Sequence, residues 1–135
     1  MALEDSPELF YERFAEAAFE TEVLPVPMGY PVLELALPEG LLRAFDRGAP
    51  PAPRGRVRLL LHGVARRHAP EEGPPMAEPI PGGGYRIRGE VVREFGEGFY
   101  LVGSLAPILI YTPTPLALGR RFGIELEPPL MGFRP

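Results

Sequence analysis

Residues 85–95, YRIRGEVVREF, decide the fold class. Ile87, Gly89 and Val91 alternate with Arg86, Arg88, Glu90 and, further on, Glu94. A period of two is that of a strand with one dry and one wet face, whereas at 100° per residue the same side chains would scatter around a helix. Gly96-Glu97-Gly98 follows as a hairpin turn, and 99–103 (FYLVG) is the returning strand. Further downstream, 107–111 (PILIY) reads as another strand. Residues 121–127 (RFGIELE) alternate again, with Phe122, Ile124 and Leu126 inward, until Pro128 and Pro129 stop them. Upstream, 56–67 (RVRLLLHGVARR) sets Val57, Leu59, Leu61 and Ala65 against Arg56, Arg58, His62 and Arg66. Between these runs, 68–84 is rich in Pro and Gly and is expected to be a long mobile loop.

Short strands joined by Gly and Pro turns predict a mainly β or α+β chain, with a small antiparallel barrel or sandwich over 56–127. The order resembles an OB-like barrel: a long first strand bends at a glycine, Gly63 or Gly89, and a hairpin follows. The stretch 118–122 (LGRRF) then leads into the last strand. Ahead of the barrel, Ser6, Pro7 and Glu8 read as a cap, a first helical position and an acid at the positive helix end. The helix is expected to reach Glu20, with Phe10, Phe14, Ala17 and Ala18 on one arc and Glu12, Glu16 and Glu20 opposite. Its apolar arc is expected to lie on the barrel. Residues 32–37 (VLELAL) read as a strand among Pro25, Pro27 and Pro31, and Pro38-Glu39-Gly40 as a turn. Leu41, Leu42 and Phe45 suggest a short helix ending near Gly48, with a linker over 49–55. A chain of 135 residues suits one domain, 1–135, made of a helix-led part, 1–50, and the barrel-like part.

The residue inventory excludes several chemistries. There is no Cys, Lys, Asn, Gln or Trp, and all 14 basic residues are Arg. Thiolate zinc sites, iron–sulfur clusters, disulfides and a cysteine nucleophile are therefore out. Gly82-Gly83-Gly84 precedes a strand and has no Lys, so it is not a phosphate-cradling loop. Met1 is followed by Glu4, Asp5 and Glu8 and by no apolar leader, and no run approaches the ~20 residues of a membrane span. The expectation is a soluble, cytoplasmic protein. The 19 Pro and the missing Asn, Gln and Cys point toward thermostability.

Candidate catalytic groups are few. Ser104 lies between strands without a nucleophile-elbow context and reads as a turn serine. His62 and His68 would stand about 20 Å apart along one strand, too far to share a metal. Glu125 and Glu127 point the same way, yet plain alternation makes them a solvent face. No metal or cofactor is expected.

Charge is the informative feature. Residues 1–50 hold ten acids and three Arg, and residues 51–135 hold eight acids and eleven Arg. Arg56, Arg58, Arg86 and Arg88, with Tyr100, are the candidate nucleic-acid-binding residues if their two strands are neighbours. The opposing expectation is that the acidic half neutralises the Arg face. A net charge of −4 argues against a dedicated nucleic-acid binder. The sequence favours a non-enzymatic interaction or structural module, with self-association as a partner mode. An OB-like single-stranded nucleic-acid binder is the alternative. A small-molecule site or enzyme using His62 in a barrel mouth is the third.

Overall fold

The structure, a computed structural model, describes residues 6–135. The acidic pair Glu4 and Asp5 lies outside them. The fold is mainly β, with one short α-helix among the described residues, and the chain forms two compact units. Of the described residues, 6–61 and 131–135 make the first, and 62–130 the second.

In the first unit, helix α1 (Pro7–Arg13) is followed by a 3-10 turn, Ala15–Ala17, and not by further helix. The Ser6 side chain makes no capping hydrogen bond. The expected helix to Glu20 therefore ends early, because Phe19–Val23 is strand β1. Thr21 and Val23 point inward there while Glu20 and Glu22 face out, an alternation that the helical spacing of the glutamates concealed. Strands β2 (Val32–Leu37) and β3 (Gly40–Asp46) form a hairpin closed by Pro38 and Glu39. The short helix expected at 41–48 is thus a strand: Leu42 and Ala44 are buried, and Leu41, Arg43 and Phe45 face outward. The first half of β4 (Gly55–Pro70) pairs antiparallel with β1, and β10 (Met131–Phe133) runs parallel to β3 and hydrogen-bonds β4. The pairings close a ring, β1-β2-β3-β10-β4. Its core is apolar, with Phe10, Phe14, Leu33, Leu35, Leu42 and Phe133 all essentially buried. Phe10 stacks at 4.5 Å on Phe133, so the helix packs within this unit. Arg134 forks onto Asp46 at 2.8 and 3.1 Å and fastens β10 beside β3.

The second unit is built on the strands expected from the sequence. They are β6 (Tyr85–Gly96), β7 (Phe99–Gly103), β8 (Pro107–Tyr111) and β9 (Arg121–Leu126), with the second half of β4. They form a closed five-stranded barrel in the order β4-β8-β7-β6-β9, in which β4 and β8 are parallel. Ile87, Val91, Val102, Ile108, Ile124 and Leu126 fill it. Register shifts at Ala65/Arg67, Val91/Arg93 and Glu94/Gly96 supply the extra twist that closure of so few strands needs. The β6–β7 turn has two residues, Glu97 and Gly98, both at positive φ, which suits the twist of a tight hairpin. The stretch expected as one long loop, 68–84, contains strand in two places. β4 runs on to Pro70, and β5 (Met76–Pro79) pairs along β6. No helix among the described residues is long and apolar enough to cross a membrane.

Candidate binding surfaces

The four candidate arginines do not line adjacent strands. β6 pairs with β5, β7 and β9, and β9 stands between it and β4. Arg56 and Arg58 belong to the first unit, where β1 sets Glu22 and Glu20 directly opposite them. Arg56 Nη2 lies 3.3 Å from Glu20 Oε1. That pair is exposed, so it contributes little to stability, but it gives the arginines carboxylate neighbours. Tyr100 is 5% exposed and lies on the buried side of β7.

His62 is placed in the β4–β8 pairing and has no exposed surface. Its Nδ1 lies 2.9 Å from the carbonyl of Leu109, an acceptor, so Nδ1 carries the proton and donates. Phe99 packs on the ring at 5.9 Å. Ser104 is likewise engaged, with Oγ 2.8 Å from the carbonyls of both Met76 and Arg88. Among the described residues no group of three or more His, Asp or Glu could hold a metal ion.

Two features stand out once these residues are placed. The first is the outer face of the β2–β3 hairpin. Its cross-strand pairs are Val32 with Phe45, Glu34 with Arg43, and Ala36 with Leu41. Arg43 Nε donates to Glu34 Oε2 at 3.1 Å, and this ion pair is bracketed by apolar side chains on both sides. Leu41 and Phe45 are 46% and 38% exposed. Next to this hairpin, the proline-rich loops 25–29 and 50–54 enclose an open groove of about 870 Å³, with Arg54 the only charged residue among the described residues that line it.

The second feature is on the barrel of the second unit. Arg86 and Arg88, two apart on β6, both converge on Glu71, in the connection between β4 and β5. Arg88 holds Glu71 Oε2 through Nε at 2.7 Å and Nη2 at 2.6 Å, and Arg86 Nη2 closes on Oε1. The carboxylate lies against Gly123 of β9, where a Cβ would collide with it. Beside it is a groove of about 230 Å³ lined by Arg67, His68, Ala69, Ile124 and Glu125. Glu125 is held by Arg67 at 3.1 Å. Hydrogen bonds from Arg86 and then Arg88 pull the Glu71 pKa below its ordinary value, and Glu71 in turn raises that of Arg86.

That shift fixes a pH dependence. A carboxylate whose folded pKa is depressed contributes stability above its unfolded pKa, near 4.5, and loses it as pH falls through the folded value. Glu71→Gln is therefore expected to melt below wild type at pH 7. The gap should shrink progressively as the pH drops below about 4.5. Thermal melts of both proteins across that range check this, and a gap constant down to the most acidic point would refute it.

Sequence reading found Arg86 and Arg88 but not their partner. Glu71 sat in a Pro/Gly-rich stretch with nothing to mark it, and the spacing of the two arginines was the only visible half of the clamp. Comparison of the chain with protein-family models, with curated proteins and with solved structures finds no match.

Proposed function

We propose that the chain is a non-enzymatic interaction module that self-associates through the outer face of β2–β3. The observation that carries this reading is the pair of exposed apolar residues, Leu41 and Phe45, flanking the Glu34–Arg43 ion pair. Exposed apolar side chains grouped on one strand face are what a docking face offers. This one is self-complementary. Under a two-fold axis along the strands, Phe45 of one copy meets Val32 of the other, Leu41 meets Ala36, and each Arg43 comes within reach of the other copy's Glu34. Closed dimers require such an isologous match. Two strands of this length present roughly 20 by 10–15 Å, or about 300 Å² per copy. That is below the ~800 Å² of a standard partner surface, so the association is weak, with a Kd of roughly 100 µM. Sedimentation velocity from about 10 µM to about 1 mM brackets that value and is expected to show a monomer passing to a dimer. One monomeric species throughout would refute the reading.

One observation favours an OB-like nucleic-acid reading, though for the first ring and not for the 56–127 barrel in which it was expected. The first ring has its third and fifth strands, β3 and β10, parallel, in the order 1-2-3-5-4 of OB-like barrels. Such barrels hold single strands on the face of strands two and three, where Phe45 and Arg43 lie. Charge weighs against it. Arg56 and Arg58 face glutamates, Arg86 and Arg88 are committed to Glu71, and the chain carries −4. A labelled oligothymidylate is accordingly expected to show no shift at low salt. Binding that weakens steeply with salt and is lost in Phe45→Ala would replace self-association with this reading. The third reading, a ligand site or catalysis at His62, gains no support from a ring with no exposed surface.

A further inference from the structure

We propose that the Arg86–Arg88 fork over Gly123 is a binding site for an oxyanion group, a carboxylate or a phosphoryl group, that Glu71 occupies from within the chain. Two guanidinium groups converging on one planar group is the geometry by which arginine recognises oxyanions. Several observations go beyond an ordinary surface ion pair. The fork has contacts other than Glu71: Arg88 Nη1 donates to the carbonyl of Pro74 at 3.1 Å and Arg86 Nη1 to Met76 Sδ at 4.0 Å. The floor is made by a mid-strand glycine, Gly123, which a strand admits at a cost and which marks close approach of another group. The groove beside the fork leaves room for a small body attached to the anion, next to His68 and Arg67.

Glu71 itself can leave without moving a strand. It lies outside β4 and β5, tied locally by its N–H to the Arg121 carbonyl at 3.2 Å. Rotation of its side chain empties the fork and keeps the backbone. With Glu71 removed, Arg86 has Glu78 and Glu125 opposite it on the neighbouring strands, with Glu125 engaged by Arg67, whereas Arg88 lies opposite Met76 and Gly123. The fork is then short of one negative charge. A tethered carboxylate competes as an effective concentration in the millimolar range or above, so external anions bind the wild type weakly.

The test is calorimetric titration of Glu71→Ala and wild type with inorganic phosphate and, separately, malonate, at ionic strength matched with chloride. Saturable binding by Glu71→Ala, at least about tenfold tighter than by wild type and lost in Glu71→Ala/Arg88→Ala, is expected. The stronger of the two probes identifies the source of the anion. A folded Glu71→Ala that responds to neither probe beyond chloride overturns the proposal, as does equal binding by the double variant. If Glu71→Ala does not fold, the wild-type Arg88 Nε–H resonance is followed up to about 100 mM phosphate, where a saturable shift supports the site and an unmoved resonance overturns it.

Discussion

Phe45→Asp is expected to raise the dimer dissociation constant at least about a hundredfold, equivalent to about 2.7 kcal/mol. The substitution enters a two-fold interface twice, so each copy loses a buried ring and gains an unpaired carboxylate facing an apolar neighbour. The monomer should tolerate the change. Phe45 is on the outer face of β3, while Leu42 and Ala44 hold the inner one, and an outward strand position costs at most about 1 kcal/mol in propensity. Reversal of the central ion pair separates self-docking from other modes. Glu34→Arg alone should abolish association, and Glu34→Arg with Arg43→Glu should restore it, because both intrachain and interchain pairs are re-formed. Equal association of wild type, Phe45→Asp and Glu34→Arg in sedimentation would place the contact elsewhere.

The second large effect is on stability. Gly89 is buried in β6, and a Cβ there would lie 2.5 Å from the carbonyl oxygen of Gly103 and 2.9 Å from Val102 Cγ1. The obstacle is backbone of the neighbouring strand and cannot swing aside. Gly89→Val must therefore push β7 from β6 in a barrel with no slack. We expect a loss of about 3 kcal/mol or more, and a fall in melting temperature of roughly 10 °C. Gly103→Ala is the control, since its Cβ would meet Val92 Cγ1 at 3.6 Å, ordinary contact. It should melt within a few degrees of wild type, by the roughly 2–8 °C that 1 kcal/mol commands. Equal melting of Gly89→Val and wild type would show that β6 and β7 are not in this register.

Legibility in the sequence followed the locality of the forces. The strands at 85–96 and 121–126 were readable because each writes a period of two into the chain, and those at 99–103 and 107–111 as short apolar runs bounded by Gly and Pro turns. β1 was hidden because Glu12, Glu16 and Glu20 happen to keep helical spacing across a boundary that Ala17 and Ala18 do not punctuate. β3 was misread because LLRAF supports both periods over five residues, and its pairing with β2 decides between them. β10 has three residues after a double proline, too short for any periodicity, and its place is set by a parallel pairing far along the chain. The same holds for the clamp. Charge counts predicted that acids would cover arginines, and Glu20 with Arg56 is such a pair. Which acid meets Arg86 and Arg88 depends on where the connection after β4 turns, which no local pattern encodes.

The late position of β10 sets an order of events during synthesis. The second unit is complete once residue 130 has been made, and its barrel needs no later strand. The first unit begins earlier on the ribosome yet lacks the strand joining β3 to β4 until Met131–Phe133 follow. The earlier-made half therefore waits, its Phe10 without the Phe133 ring it packs on, for the later-made half to finish. Long-range closure of this kind is slow, and the nascent chain carries its unsealed apolar surface for the whole of that interval.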